Sequence, residues 1–276
     1  MCELLGVSSS GMTTVNLSLM KLAEHGGFSG PHRDGWGVAY YEGADVRLIK
    51  EAEAAADSEW VRFVRDHHLR SHIVMAHVRR ATMGERAYRN TQPFMRELGG
   101  HMHLFAHNGW LPAIQGAPEL IPRRFHPVGE TDSEQAFCVL LDGIAELWRR
   151  PGEIPPLDQR MERVTRFAAQ LRTLGPANFL YSDGDALFAH GDRRTQAATG
   201  RIETPGLRYL ARHCHGDEPG LKTSGVSIAG NDQQLIILAS VPLSDEPWQA
   251  LTEGEVIVIR DGQICLRSSD PEQTRR

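Results

Sequence analysis

Short apolar runs recur along the chain at intervals typical of β-strands joined by tight turns. Runs at residues 37–41 and 46–50 flank the polar residues 42–45, which predicts a β-hairpin. A second hairpin is predicted around residues 183–185, and Asp261-Gly262 is a strong signal for a two-residue hairpin turn. The same pattern predicts strands at residues 2–7, 72–77, 103–106, 179–182, 186–189, 207–211, 235–239, 256–259 and 263–266.

Helical periodicity falls between these strand-rich stretches. It predicts helices over residues 58–68, over residues 132–148 with Thr131 or Asp132 as the cap, and over residues 157–174. Residues 151–156 are interpreted as the loop between the last two helices. Because the strands come in hairpins and the helices cluster between them, we expect antiparallel sheets with helices on their outer faces, not a doubly wound parallel fold.

Composition is that of an ordinary globular protein of one large domain or two small ones. The chain has 276 residues, 41% hydrophobic and 24% charged, which is enough apolar material for a core without disulfide or metal staples. The net charge of −5 excludes the basic footprint of a nucleic-acid-binding protein. We expect no membrane association, because no stretch approaches the roughly 18 apolar residues of a membrane helix and no signal peptide is visible.

The cysteines Cys2, Cys138, Cys214 and Cys265 lie far apart and form no CxxC pattern, which indicates a reduced, cytoplasmic protein. Cys138 lies in an apolar run and is predicted to be a buried small hydrophobic residue. Cys2 differs, because removal of Met1 would place its thiol beside a free α-amine. An α-amine of pKa about 7.7–8.0 is a suitable base for a thiol of pKa about 8.5. Alone this is weak evidence, since cysteine also occurs at the second position by chance.

Three further segments carry side chains suited to an amide substrate, and each has a structural alternative. Arg79 leaves a predicted strand into a loop, where its planar fork suits a carboxylate, although it could equally be a surface arginine. Asn108-Gly109 is either a tight turn or an oxyanion hole made of the Asn108 amide and the Gly109 N–H. Asp132 opens a predicted helix with acidic residues in its first turn, and it could also bind a substrate ammonium.

Taken in order, these segments resemble the class II glutamine amidotransferases, which are N-terminal-nucleophile hydrolases. Cys2 is followed, in the order and approximate spacing of that family, by AHVRRATMG (76–84), NTQPF (90–94), HNG (107–109) and ETDSE (130–134). HRDGWGVA (32–39) resembles the second strand of the family, and ASVPL (239–243) with EPW (246–248) resembles the end of its stand-alone bacterial members. The resemblance covers nearly the whole chain. It implies an α+β fold, the αββα four-layer sandwich with two mainly antiparallel sheets.

The resemblance also implies two sets of site residues. The catalytic set is the nucleophile Cys2, with its own α-amine as general base, and the oxyanion-hole residues Asn108 and Gly109. The substrate-binding set is Arg79 with Thr82, for the α-carboxylate of glutamine, and Asp132, for its α-ammonium. Attack on the side-chain amide would release ammonia and leave a γ-glutamyl thioester that water hydrolyses to glutamate. Some members have an aromatic residue at the position of Arg80 and a histidine at that of Met83, so we expect the contacts flanking Arg79 to differ.

Residues 2–276 are predicted to form a single amidotransferase domain, with Met1 removed and no synthase or acceptor domain. The first hypothesis is a glutaminase-type enzyme that supplies ammonia to a separate synthase subunit. The second keeps the chemistry but acts on a γ-glutamyl amide of a larger metabolite, as in ergothioneine biosynthesis. The third is a non-catalytic interaction protein with the same fold, against which the complete set of site residues argues. A wide pocket on the leaving-group side of Cys2 favours the second hypothesis, and a closed pocket or a tunnel favours the first.

No cofactor and no metal site are predicted. His101 and His103 lie on one face of a predicted strand, but no carboxylate or cysteine with ligand spacing accompanies them. No GxGxxG or Walker motif is present, so nucleotide binding lacks support.

Overall fold

A computed structural model describes residues 2–14, 21–28, 30–214, 227–228 and 233–268. Its strands are β1 Glu3–Thr14, β2 Trp36–Glu42, β3 Asp45–Glu51, β4 Ser71–Val78, β5 Phe94–Leu98, β6 His101–Gly109, β7 Ala177–Ser182, β8 Leu187–His190, β9 Arg194–Thr195, β10 Ile202–Glu203, β11 Arg208–Cys214, β12 Ser227–Ile228, β13 Gln233–Ala239, β14 Gln249–Ala250, β15 Val256–Arg260 and β16 Gln263–Arg267. The main α-helices are α1 Glu59–His67, α2 Asp132–Ile144 and α3 Leu157–Arg172. Short 3₁₀ helices lie at Ala55–Asp57, Tyr88–Asn90, Ile114–Gly116 and Pro118–Leu120, and a π-helical turn lies at Glu24–Phe28.

The strands form two large sheets in which every pair is antiparallel. The first sheet has the order β14-β11-β13-β1-β4-β2-β3, with β12 also paired to β1. The second sheet has the order β16-β15-β8-β7-β6-β5. β9 and β10 form a separate two-stranded ribbon. The N-terminal strand β1 is therefore central in the first sheet, flanked by β13 and β4.

Three apolar cores separate four layers. The middle core joins the facing sides of the two sheets and contains Leu4 and Met75 of the first sheet with Leu104 and Leu180 of the second. The outer face of the first sheet packs on α1, and the outer face of the second sheet packs on α2 and α3. Alternate residues along each strand face opposite sides, so each sheet supplies two cores at once. The predicted α+β, αββα sandwich is confirmed.

The predicted helices form, and their starts are set by local hydrogen bonds. Ser58 caps α1 by accepting a hydrogen bond from the Val61 N–H at 3.2 Å, and Thr131 caps α2 by accepting one from the Glu134 N–H at 3.2 Å. α2 ends at Ile144, four residues earlier than predicted. No helix within the described ranges is both long enough and apolar enough to cross a membrane.

The predicted hairpins are confirmed, whereas several edge strands were not foreseen. At the turn between β15 and β16, Asp261 and Gly262 both have positive φ, 50° and 71°, as a two-residue turn of this type requires. β5, with the sequence FMREL, does not alternate between apolar and polar residues, and the two-residue strands β9, β10, β12 and β14 are too short to show a pattern. β1 extends to Thr14 instead of ending near Val7, because Ser8 and Ser9 still pair with β13 and, after an irregularity in the register, Thr13 and Thr14 pair with β12.

Candidate active site

Cys2 directly precedes β1, at the end of the first sheet where the neighbouring strands β4 and β13 finish. In the register of the first sheet Leu4 is opposite His77, and Leu5 is opposite Ala239. The half-buried Cys2 Sγ accepts a hydrogen bond from the Arg80 N–H at 3.3 Å. Burial raises the pKa of the Cys2 thiol, although that N–H and the charge of Arg79 act to lower it. The thiol therefore needs a base to become a nucleophile near neutral pH.

Arg79, the residue after β4, organises the loop that touches this thiol. Its Nη1 donates to the carbonyls of Asp34 at 3.2 Å and Glu85 at 3.1 Å. Its Nη2 donates to the carbonyls of Met83 at 3.0 Å and Gly84 at 3.1 Å. Burial lowers the pKa of Arg79. The surface alternative is wrong, because only 3% of this residue is exposed and its guanidinium ties the loop back onto the end of the sheet.

Thr82 is exposed on the loop that Arg79 anchors. A second contact stabilises the same loop, since the Ala81 N–H donates to Asp34 Oδ2 at 2.8 Å. Thr82 lies two residues along the chain from Arg80, whose backbone N–H donates to the Cys2 Sγ.

Asn108 and Gly109 end β6, and they do not form a turn. Gly109 pairs with Ala177 of β7, and a Cβ atom at Gly109 would lie 1.9 Å from the Pro176 carbonyl oxygen. Glycine is needed here because the neighbouring backbone approaches so closely. The side chain of Asn108 is buried, its Nδ2 donates to Ser240 Oγ at 3.1 Å, and its Oδ1 has no protein partner among the described residues. The tight-turn alternative is therefore wrong.

Asp132 is the first residue of α2 and is buried. Its Oδ2 accepts a hydrogen bond from the Leu111 N–H at 2.8 Å, and its Oδ1 accepts one from the Ser133 N–H at 2.8 Å. The charge of Asp132 acts to raise the pKa of the Cys2 thiol, as that of Arg79 acts to lower it. Residues from four distant parts of the chain thus meet at one end of the sandwich.

The sequence model of the family described as glutamine amidotransferases class-II matches residues 1–276. The chain belongs to this family. The YafJ protein of Escherichia coli strain K12, assigned as a glutamine amidotransferase, is 36% identical over 256 residues, which cover 92% of this chain and 96% of that protein. An uncharacterized protein of Methanocaldococcus jannaschii, MJ1515, is 33% identical over 276 residues, covering 96% of this chain and 70% of the relative.

Solved structures agree with this family membership. A glutamine amidotransferase of Pseudomonas aeruginosa PA01, assigned by prediction, superposes with a TM-score of 0.66 at 29% identity, covering 96% of this chain and all of the other. Glutamine phosphoribosylpyrophosphate amidotransferase of B. subtilis superposes with a TM-score of 0.58 at 16% identity, over 95% of this chain and 48% of that one. The second likeness concerns the fold alone. The family membership indicates that the protein is an enzyme of this class.

The NTQPF segment of the amidotransferase joins the other motifs to one another. The Gln92 side chain pairs with the His107 backbone, accepting from its N–H at 2.6 Å and donating to its carbonyl at 3.3 Å. The Asn90 amide donates to the Glu85 carbonyl at 3.0 Å and to a Glu130 carboxylate oxygen at 2.6 Å. Asn90 therefore links the Arg79 loop to the segment that precedes Asp132, and Gln92 holds the end of β6.

Sequence reasoning missed two buried charged groups near Cys2, which are Glu3 and Arg194. Glu3 is buried and shares a hydrogen bond of 2.7 Å with His25 Nδ1. This bond raises the pKa of His25; burial alone would raise the pKa of Glu3, but His25 lowers it. Arg194 is also buried, its Nη1 donates to the Ser240 carbonyl at 2.7 Å, and burial lowers its pKa. The one available signal was Glu3 itself, a charged residue inside an apolar run.

The histidine pair considered as metal ligands does not converge on a site. His103 is buried, with its Nδ1 2.7 Å from the Tyr181 hydroxyl and its Nε2 3.2 Å from the Leu98 carbonyl. Burial lowers the pKa of His103 to about 4, so it is a neutral core histidine. In the part of the chain that the structure describes, no group of three His, Cys, Asp or Glu side chains is arranged to hold a metal ion.

Proposed function

We propose that the enzyme hydrolyses the side-chain amide of glutamine to glutamate and ammonia through a γ-glutamyl thioester on Cys2. The observation that carries the proposal is the position of the Cys2 thiol. It contacts the Arg80 backbone of the Arg79-anchored loop and is acted on by the charges of Arg79 and Asp132. In this proposal residues 2–276 form one amidotransferase domain, from which Met1 has been removed.

The reaction starts with proton transfer from the Cys2 thiol to its own α-amine. Burial raises the pKa of the thiol, so an adjacent base lowers the barrier to forming the thiolate. The thiolate attacks the amide carbon, and the Asn108 amide and the Gly109 N–H stabilise the oxyanion that develops. Collapse of this intermediate expels ammonia, which takes the proton from the α-ammonium. Water then hydrolyses the thioester, which releases glutamate and restores the thiol.

The glutamyl head group is held by Asp132 at its ammonium and by Arg79 and Thr82 at its carboxylate. Each Asp132 oxygen already accepts a backbone N–H, and a carboxylate oxygen retains further capacity for an ammonium. The four Nη hydrogens of Arg79 are donated to the Asp34 carbonyl and to three carbonyls of the loop, so Arg79 contributes mainly its charge and the position of the loop that carries Thr82. Ammonia then passes to a separate synthase subunit, and we propose a cytoplasmic site of action without nucleic acid or cofactor.

A second candidate substrate is a γ-glutamyl amide with a leaving group larger than ammonia. A groove of about 720 Å³ is lined by Lys21, Glu24 and His25 on one side and by residues 242–246 on the other. His25 contacts Glu3, whose side chain leaves the chain on the face of the first sheet opposite to that of Cys2, so the groove lies on the outer side of this sheet. The groove therefore does not favour a bulky amine over ammonia, and the preferred substrate has to distinguish the two candidates.

The test uses the full chain with a C-terminal tag. Intact mass first establishes whether Met1 has been removed, and glutamate release is then measured with glutamine and with a panel of γ-glutamyl amides. Cys2→Ala should abolish turnover, while Cys265→Ala, at an exposed cysteine, should not change it. Preference for glutamine supports the first candidate, and preference for a larger amide supports the second. Turnover that survives in Cys2→Ala would contradict both.

A further inference from the structure

Ser240 connects the strand of the nucleophile to the amide of the oxyanion hole. It follows β13 directly and is 3% exposed. Its Oγ accepts one hydrogen bond from the Leu4 N–H at 3.1 Å and another from Asn108 Nδ2 at 3.1 Å. Leu4 belongs to the first sheet and Asn108 to the second, so these two bonds meet at one oxygen between the layers.

Arg194 explains why the Ser240 side chain is in this position. The register of β1 and β13 pairs Leu5 with Ala239, and the ladder would continue with Leu4 and Ser240. The Ser240 N–H does donate to the Leu4 carbonyl at 3.1 Å. The Ser240 carbonyl, however, accepts from Arg194 Nη1 at 2.7 Å, and the Leu4 N–H donates to the Ser240 hydroxyl. The side chain thus takes the place of the carbonyl in the ladder.

We propose that Ser240, held by Arg194, is a positioning residue for the oxyanion hole. A carboxamide carries two N–H donors, and Ser240 engages one of them. The Asn108 amide is thereby held with its second N–H available to the substrate and at a constant distance from the strand that carries Cys2. This inference rests on the proposed function, because it assigns Ser240 a role in the same reaction.

The expected effect follows from the energetics of oxyanion donors. Complete removal of one donor costs roughly 10²–10³ in kcat. Ser240→Ala leaves the Asn108 amide in place but no longer fixes its orientation, so we expect kcat to fall roughly 10- to 100-fold. KM should change less than about threefold, because Asp132 and the Arg79 loop are untouched and they contact the glutamyl head, not the reacting carbonyl.

Ser71→Ala is the matched control. Ser71 is also a fully buried serine, and its Oγ is hydrogen-bonded to the Tyr41 carbonyl at 2.9 Å and the Ile73 carbonyl at 2.8 Å. It starts β4, at the end of the sandwich away from Cys2. Ser71→Ala should lower the thermal midpoint about as much as Ser240→Ala does and leave kcat unchanged.

A double-mutant cycle separates positioning from a structural role. If Ser240 acts through Asn108, Ser240→Ala should lower kcat no further when it is added to Asn108→Ala. Losses that multiply in the double variant would overturn the inference, as would a loss confined to KM. If Ser240→Ala does not fold, Arg194→Met serves instead, because it keeps the hydroxyl but frees the carbonyl; it should show the same non-additivity with a smaller loss.

The same measurements distinguish this inference from the proposed function. A processed wild-type enzyme that hydrolyses no γ-glutamyl amide would overturn both. An active wild type whose kcat is as insensitive to Ser240→Ala as to Ser71→Ala would overturn only the role of Ser240.

Discussion

Buried arginines lie at both ends of the sandwich, and their partners differ. At the end away from Cys2, Arg160 of α3 is 2% exposed, with Nη1 2.7 Å from Asp183 and Nη2 2.6 Å from Asp185. Burial alone would lower the pKa of Arg160, but the two carboxylates raise it. The charge at this end is therefore neutralised by direct ion pairs.

At the Cys2 end, Arg79 and Arg194 are buried without such pairs. Both donate to backbone carbonyls, and neither has a carboxylate within salt-bridge distance among the described residues. Burial lowers the pKa of each. The carboxylate that acts most strongly on Arg194 is Glu3, which is already hydrogen-bonded to His25.

We infer from this difference that Arg160 stabilises the fold, whereas Arg79 and Arg194 act on the proposed active site. When carboxylates pair with an arginine they largely neutralise its positive charge, so it attracts a bound anion only weakly. A cation bonded only to carbonyl dipoles keeps its field, which favours a thiolate, an oxyanion or a substrate carboxylate nearby. The following predictions test this distinction, in order of the expected size of the effect.

Arg160→Met should cause the largest loss of stability. It leaves Asp183, which is 0% exposed, without its partner, and such a change typically costs about 3–5 kcal/mol. Urea unfolding measures the loss, and turnover per folded molecule should stay at the wild-type value. Arg166→Met on the exposed side of the same helix is the control and should cost well under 1 kcal/mol, since surface pairs contribute about 0–1 kcal/mol. Equal losses in the two variants would show that the Arg160 network adds no stability.

Arg79→Lys should lower kcat/KM by about 10², because an ammonium lacks the planar fork that holds loop carbonyls on both sides of the guanidinium. Arg80→Lys is the matched control, with the same chemical change at an exposed neighbouring side chain, and should stay within about threefold of wild type. Steady-state kinetics with the preferred substrate measures both. Full activity in Arg79→Lys would mean that charge alone is sufficient at this position.

The Glu3–His25 pair should make stability depend on pH. The Glu3 pKa is lowered on folding, so its contribution is present above the unfolded value and is lost as pH falls through the folded one. The His25 pKa is raised, so its contribution is present below the unfolded value, about 6.5, and is lost as pH rises through the folded one. Glu3→Gln should therefore cost most at about pH 5–6.5, on the order of 1 kcal/mol because His25 is partly exposed to solvent.

Unfolding at a series of pH values checks this sign. Glu59→Gln, at an exposed carboxylate, is the control and should show no such window. A difference between wild type and Glu3→Gln that grows steadily towards high pH would contradict the assignment.

Arg194→Gln should have the smallest effect, on the reactivity of the Cys2 thiol. Arg194 and Cys2 act on each other electrostatically, and loss of the charge should raise the thiol pKa. A higher thiol pKa lowers the fraction of thiolate, so alkylation of Cys2 by iodoacetamide at pH 7.5 should slow by roughly two- to threefold. The exposed Cys265 is an internal control, followed by mass spectrometry in the same sample. Unchanged alkylation of Cys2 would show that Arg194 serves only to hold Ser240.

Two dipeptides show where prediction from the sequence succeeds and where it stops. Asp261-Gly262 forms the predicted turn. The flanking strands β15 and β16 pair as far as Arg260 and Gln263, so only these two residues connect them. Asn108-Gly109 has the same local signal for a turn but extends β6, because Gly109 pairs with Ala177 and fits against the Pro176 carbonyl. The partner that decides the second case lies far along the chain and cannot be seen in a local pattern.

The sequence by itself determined the helices, the main hairpins and the layered α+β class, and it predicts Cys2, Arg79, Asn108 and Asp132 as site residues. These follow from local periodicity, from capping and turn residues, and from motifs in a recognisable order. Only the tertiary structure decided which groups surround them. Ser240 reaches Asn108 across 132 residues, and Leu4 reaches Ser240 across 236, because β1 lies between β13 and β4 in a sheet that packs against β6. Strand order and packing between sheets are set by the burial of apolar surface between residues far apart in the chain. A local sequence pattern does not show which distant strands will pair.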